Sequence, residues 1–454
     1  MNFPRYAEYK DSGVEWLGEV PGHWGVKNLK HIALFSGGGT PSRDNMTYWN
    51  GDIPWVSPKD MKAEKIYGTE ECITTEGLTN STSNLIAPGT VLMVVRSGIL
   101  KHTIPVAING VEVALNQDMK ALTFHPNLCH SQFFLRWVQG LNNELLLVWA
   151  KQGATVESIE QEYLANTAIG LPPLPEQQAI AAFLDRETGK IDALVAEQEK
   201  LIALLKEKRQ AVISHAVTKG LNPDAPMKDS GIEWLGEVPE HWEVVPLKHS
   251  ISKIEQGWSP QCEGEPASEY EWGVLKVGCV NRDEFDPMEQ KALPEEVAPI
   301  LNYEVKAGDI LMSRGNTLEL VGMATFISKA RPRLLLCDLL YRFHAKPGRA
   351  DGRFLVFSIR SPSGRFQIMR DATGTSASMK KIGQGIIREF IIALPPLDEQ
   401  SAIVAYLDQQ TAKLDTLLSK AQHAINLLKE RRTALISAAV TGKIDVRELT
   451  AKEH

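Results

Sequence analysis

The chain has 454 residues, a formal net charge of −7, and apolar and charged fractions of 43% and 23%, those of an ordinary soluble globular protein with room for two to four domains. The acidic total argues against a uniformly basic nucleic-acid coat, although a local patch can hide inside it. The five scattered cysteines, Cys72, Cys129, Cys262, Cys279 and Cys337, form no paired-ligand spacing, no apolar core of signal-peptide length opens the sequence, and no run reaches membrane-span length. Together these features predict reduced thiols and a cytoplasmic chain.

Taken in order, the first landmark is KDSGVEWLGEVPGHW at 10–24, which recurs as KDSGIEWLGEVPEHW at 228–242 with 13 of 15 positions identical. Trp16, Trp24, Trp234 and Trp242 in this repeat read as anchors packing an arm onto a domain, with His23 and His241 capping a turn. A segment of unlike sequence follows each copy, 33–170 and 251–393, and the two share a layout. IPWVSPKDM (53–61) and GVLKVGCVN (273–281) each read as a strand running into a polar loop. GTVLMVVRSG (89–98) and GDILMSRGNT (308–317) each read as a strand ending at an arginine, Arg96 or Arg314. Short strands, frequent Gly and Pro, and a helical stretch at 130–149 predict mixed α/β segments.

Each variable segment leads into a long helix. Leu171–Leu221 and Leu394–Ile444 align without gaps at 27 of 51 positions, 223 residues apart, whereas the short repeats are 218 apart. The second variable segment is therefore five residues longer. Pro172 and Pro173 impose an extended approach, Pro175 suits a first helical turn, and Asp398 stands as an N-cap. An apolar stripe at heptad spacing is expected at Leu184, Ile191, Leu194, Leu201, Leu205 and Val212, and again at Leu407, Leu414, Leu417, Ala424, Leu428 and Leu435. Such a seam wants a partner helix. About 40 helical residues give a rod of about 60 Å. The order of parts is an internal duplication and predicts antiparallel helices carrying one domain at each end.

No catalytic constellation is legible. The sequence lacks a phosphate-binding GxxxxGK[ST], a GxGxxG after a strand, HExxH and a GxSxG elbow. The two LPPL stretches lack the polar first residue and terminal aromatic of an amino-methyltransferase motif. What remains is surface for nucleic acid. Residues 329–388 carry 13 Lys/Arg against three Asp, with nine of the cations arginine, which suits bidentate contacts to phosphate or guanine. The first variable segment holds nine Lys/Arg against 13 Asp/Glu. Its candidates are Arg43, Lys59, Arg96, Lys101 and His102, with Asn116 and Gln117 as adenine readers. In the second segment they are Lys276, Asn281, Arg282, Arg314, Asn316, Arg331, Arg333 and Arg342.

Four blocks, EWLGEVPGHW, EWLGEVPEHW, LPPLPEQQAIAAFLD and LPPLDEQSAIVAYLD, together with the C-terminal AAVTGKIDVRE, closely resemble the DNA-specificity subunit of type I restriction–modification enzymes over nearly the whole chain. The resemblance implies a mixed α+β fold with two target-recognition domains separated by a pair of long antiparallel coiled-coil helices, in an internal pseudo-two-fold repeat. On this reading 1–170 holds the first arm and recognition domain, 171–221 a spacer helix, 222–393 the second arm and domain, 394–445 the second helix, and 446–454 a tail. Each domain reads one half of a split, asymmetric double-stranded DNA target. The helices set the gap and dock two methyltransferase subunits. The helix openings, Glu176, Gln177, Leu184 and Asp185 with Glu399, Gln400, Leu407 and Asp408, are then the partner-binding set. A non-catalytic subunit is expected. S-adenosylmethionine would sit on the methyltransferases, ATP and magnesium on restriction/translocase subunits, and no cofactor, metal or membrane on this chain. The competing reading is a coiled-coil scaffold presenting two protein-binding heads without nucleic acid.

Overall fold

The computed structural model describes residues 3–151, 156–262, 264–374, 379–447 and 449. The chain forms two compact units, Met1–Glu199 with Gln422–His454, and Lys200–Ala421. Both long helices contribute to both units.

In the first unit the central sheet has five strands in the order Ala33–Gly37, Met119–Phe124, Val91–Val94, Val106–Asn109, Lys65–Ile66. Val91–Val94 is buried at all four positions, which is why its sequence is a continuous apolar run rather than an alternating one. A smaller sheet pairs Trp49–Val56 with Ala114–Leu115 in parallel and with Cys72–Ile73. The expected helix at 130–149 is two helices, Ser131–Gly140 and Asn142–Trp149, broken at Leu141.

The second unit repeats this plan. Four strands lie in the order Glu255–Gln256, Leu340–Phe343, Ile310–Ser313, Ala324–Phe326, with Ile310–Ser313 fully buried. Gly273–Leu275 is flanked by Gln290–Ala292 and, in parallel, by Leu334–Leu335. The helix pair is Gly352–Arg360 and Pro362–Asp371.

Entry to and exit from each variable segment are held side by side. Gly25–Asn28 pairs antiparallel with Ala168–Leu171, and Glu243–Pro246 pairs the same way with Ile391–Leu394. Two prolines then end the strand because they cannot continue its ladder, and the long helices Leu174–Lys219 and Leu397–Val440 begin. Asp398 lies in the first turn, where it complements the helix dipole, rather than at the N-cap. Gly220 and Gly442, with φ of 77° and 76°, follow the helix ends in the left-handed conformation that glycine adopts without cost.

The helices pack antiparallel in each unit. In the first, Ile191 and Val195 share a core with Leu428 and Leu435, and Asp192 pairs with Arg432 at 2.9 Å. In the second, Val212 and Ala216 share a core with Ile403 and Leu407, and Arg209 pairs with Asp415 at 3.1 Å. The seam differs from the expected stripe. Leu194, Leu201 and Leu417 are 52%, 42% and 48% exposed. The inward line in the first helix is Leu184, Thr188, Ile191, Val195, Gln198, Ile202, Leu205, Arg209, Val212, Ala216. In the second it is Leu407, Thr411, Leu414, Leu418, Ala421, Ile425, Leu428, Arg432, Leu435, Ala439. Steps of four and three alternate without a break in both, and the lines coincide at the 223-residue offset.

The repeated arm carries the anchors that its sequence suggests. Trp24 and Trp242 are fully buried. In the first unit Glu176 accepts from Tyr6 Oη at 2.6 Å and Trp24 Nε1 at 2.9 Å, and its other oxygen meets His23 Nε2 at 2.7 Å. In the second, Glu399 meets His241 at 2.8 Å, and Trp242 Nε1 is buried without an acceptor among the described residues. The five cysteines are unpaired; burial pushes the Cys129 and Cys337 thiols up to about 12. Among the described residues no helix is long and apolar enough to cross a membrane.

Candidate nucleic-acid interface

A loop of the same build stands at the same place in each unit. In the first, the edge strand Ala33–Gly37 runs into Gly38-Gly39-Thr40-Pro41. A Cβ on Gly38 would lie 2.0 Å from the Asn116 carbonyl oxygen, so only glycine lets the backbone cross there. Gly39 N–H then donates to Leu115 O at 2.8 Å, and the Thr40 hydroxyl donates to Gln117 Oε1. Trp55 and Trp49 pin the loop by donating to the carbonyls of Gly39 and Ser42 at 2.9 and 3.0 Å. In the second unit the loop is Gly257-Trp258-Ser259-Pro260. A Cβ on Gly257 would lie 2.1 Å from Leu336 O, Trp258 N–H donates to Leu336 O at 3.0 Å, and Ser259 Oγ donates to Asp338 Oδ1 at 2.5 Å.

The arginines after the buried central strands join this loop. Arg96 Nε lies 2.8 Å from Asp118 Oδ1, and its N–H donates to Asp118 O. Arg314 N–H donates to Leu339 O at 2.8 Å, and its guanidinium reaches Asp338 O at 3.4 Å. Asn316 Nδ2 donates to Asn281 Oδ1 at 3.1 Å, while Gly315–Asn316 pairs with Lys380–Lys381. The structure therefore groups Arg96 and Gln117 in the first unit, and Arg314, Asn316 and Asn281 in the second. Thr40, Ser259, Asp338, Lys380 and Lys381 belong with them and were missed. The duplicated Gly-x-(Thr/Ser)-Pro at 38–41 and 257–260 was the available signal.

Other candidates lie nearby or elsewhere. Arg43 is half-engaged: it pairs with Glu71, whose carboxyl it holds below the ordinary range, and lies 3.8 Å over the Trp49 ring. Lys59 is exposed on the turn Pro58–Asp60. Lys101 lies 4.0 Å from Glu157, and His102 is exposed beside it. Lys276 is half-buried, and Arg282 is exposed with Asp286 at 3.5 Å.

Two expectations, Asn116 and Arg342, are corrected by burial. Asn116 is buried, and its Oδ1 accepts from Asp118 N–H at 2.9 Å, so it shapes the turn instead of facing a base. Arg342 is buried, with its guanidinium on Glu255 at 2.7 Å and on the carbonyls of Asn302 and Glu304. Arg331 points at the carbonyls of Glu269, Glu271 and Pro332, and Arg333, at φ 64°, at that of Tyr270. The arginine-rich run is not one basic face. Arg360 and Arg365 are drawn inward onto backbone carbonyls, and burial pushes both down, Arg365 to about 10. Arg349, Arg353 and Arg370 pair with Glu243, Asp408 and Asp371.

The helix openings are likewise used within their units. Gln177 accepts from His130 N–H and donates to the carbonyls of Leu128 and Pro172. Gln400 accepts from Asp351 N–H and donates to those of Arg349 and Pro395. With Glu176 on the arm and Leu184 and Leu407 in the cores, these five side chains do not face a partner, which corrects that expectation. Asp185 pairs with the buried Arg136 at 2.7 Å and Asp408 with Arg353 at 2.5 Å; both keep a solvent-facing side, and Glu399 keeps part of one.

Comparison with known proteins places this geometry. The family described as "Type I restriction modification DNA specificity domain" matches residues 21–203 and 239–427. The EcoR124I/EcoR124II specificity subunit of Escherichia coli is 36% identical over 188 residues, 41% of this chain and 45% of that one. The EcoKI specificity subunit of Escherichia coli (strain K12) is 26% identical over 301 residues, 64% of this chain and 61% of that one. The chain thus spans roughly half of these relatives' length. The putative MjaX specificity subunit of Methanocaldococcus jannaschii is 26% identical over 440 residues, 95% of this chain and 96% of that one. In fold, a chain from a structure on complex assembly and conformational transition of the type I R-M system superposes with a TM-score of 0.69, at 18% identity, over 93% of this chain and 98% of that one. Two family matches, one on each half of an internally duplicated mixed α/β chain with paired long helices, make this protein a member of the type I restriction–modification DNA-specificity family.

Proposed function

We propose that the chain is the DNA-reading subunit of a type I restriction–modification complex, each unit reading one half of a split, asymmetric target. The observation that carries this reading is the recurrence, in two segments of unlike sequence, of the same exposed polar loop: Thr40 on Gln117 beside Arg96, and Ser259 on Asp338 beside Arg314. A loop held rigidly by a glycine crossing presents side chains to base edges with little loss of freedom on binding. The helices dock two methyltransferase subunits, and restriction/translocase subunits join that assembly in the cytoplasm. S-adenosylmethionine, ATP and magnesium belong to those partners, and this chain directs adenine methylation and restriction without catalysing either.

The test is a titration of the chain, assembled with its methyltransferase partners, against DNA of mixed and of target sequence over a range of salt. The expected result is a sequence-dependent affinity that falls with salt as phosphate contacts are screened. Equal, salt-insensitive or absent binding would instead favour a scaffold with protein-binding heads.

A further inference from the structure

We propose that positions 117 and 338 are equivalent base-reading positions, and that their different chemistry makes the two half-targets differ at the corresponding base. The inference rests on the DNA-reading assignment above and adds to it which side chains read. Equivalence follows from backbone geometry. Leu115 O and Leu336 O accept from the same place in the glycine loop, from Gly39 N–H and Trp258 N–H. Ala114–Leu115 and Leu334–Leu335 are the parallel partners of Trp49–Val56 and Gly273–Leu275. Two residues beyond Leu115 and Leu336 stand Gln117 and Asp338, each held by the hydroxyl that precedes the loop proline.

The residue between is buried in both units, Asn116 in one and Cys337 in the other, so 117 and 338 are the positions that turn outward. Asp338 N–H also donates to Ser259 Oγ at 3.2 Å, which fixes the carboxylate's orientation. The hydroxyl occupies one oxygen in each case. Gln117 then offers Nε2 as a donor beside the second lone pair of Oε1, the pattern that matches N7 and the amino group of adenine. Asp338 offers only acceptors through Oδ2, the pattern that matches the N4 amino group of cytosine. Arg96 and Arg314 hold the following backbone, and so act as positioning residues.

The experiment uses the assembled complex of this chain with its methyltransferase partners, read by selection of bound sequences from a randomised DNA library and by mapping of methylated adenines. Gln117→Glu and Asp338→Asn are near-isosteric and keep an acceptor for the hydroxyl. Gln117→Glu should move one position of one half-target from adenine toward cytosine, and Asp338→Asn one position of the other half from cytosine toward adenine. Discrimination at that position should change by about 5- to 150-fold, with the other half unaffected. Thr40→Val and Ser259→Ala, which release the side chains without replacing them, should relax the same positions, and they decide the matter if an isosteric variant fails to assemble. An unchanged target in all four variants, or a uniform weakening across all sequences, would overturn the proposal. A wild-type complex with no sequence preference would sink the DNA-reading assignment itself, a distinct outcome.

Discussion

Glu176 and Glu399 occupy equivalent places at the start of the two long helices, yet their surroundings differ. Glu176 is 6% exposed and satisfies three aromatic donors; Glu399 is 26% exposed and meets one. Removing Glu176 strands Tyr6 and Trp24 in the core. Glu176→Ala should therefore cost about 3 kcal/mol, and Glu399→Ala about 1 kcal/mol. Urea unfolding of both variants checks the asymmetry, and equal losses would contradict it. A second prediction at this scale concerns acid. Burial raises the Glu64 carboxyl, but hydrogen bonds from Arg136 and Gln139 and the charges of Arg136 and Arg432 outweigh it and set it below the ordinary carboxylate range. A carboxylate lowered in the folded state contributes stability that is full above its unfolded pKa and is lost as pH falls toward the folded one. The urea midpoint should therefore fall as pH drops from neutral through the carboxylate range, and Glu64→Gln should make that fall shallower.

The long helices are the elements that patterning located well and oriented imperfectly. Their existence, extent and pairing follow from prolines, glycines and a duplicated apolar stripe. The error lay in trusting leucine. Leu194, Leu201 and Leu417 are more apolar than Gln198, Thr188 or Arg209, but those polar residues occupy the inward line, where the threonine hydroxyls bond back to their own helix and Arg209 reaches two carboxylates. Composition at single positions cannot reveal this; the unbroken four–three spacing across both copies does. Leu417→Lys should change stability by no more than about 0.5 kcal/mol, whereas Ile425→Lys, which buries a charge in the seam, should cost about 3 kcal/mol. Comparable losses in thermal unfolding would return the seam to the leucine line. The arginine run shows the converse limit. Counting charge along a sequence does not see the carbonyls and carboxylates that fold against it, so Arg342, Arg360 and Arg365 looked available and are not.

At the scale of the molecule, duplication was legible from two repeats with unequal offsets, and so was the mixed α/β character of the segments between them. The glycine-crossed loops were not, because their partners Gln117 and Asp338 lie far along the chain from Thr40 and Ser259. The paired strands at the mouth of each segment make it replaceable. Exchanging 251–393 for the corresponding segment of a related subunit, with Glu243–Pro246 and the helix opening retained, should alter one half of the methylated target and leave the other. Methylation mapping across the genome reads the result, and simultaneous change in both halves would refute modular reading.

The division of the chain between the units also sets an order on its making. Lys200–Ala421 is one continuous stretch, whereas the first unit draws on both ends: Asp445 N–H donates to Pro4 O at 2.9 Å, Tyr9 Oη donates to Gly442 O, and Arg447 lies 5.0 Å from the Tyr6 ring. During synthesis the amino-terminal unit therefore waits, with the inward faces of Ile191 and Val195 uncovered, until the last helix leaves the ribosome, while the unit encoded in the middle can close first. A chain ending just after Ala421 would hold every residue of the middle unit, while the other unit would still lack Gln422–His454.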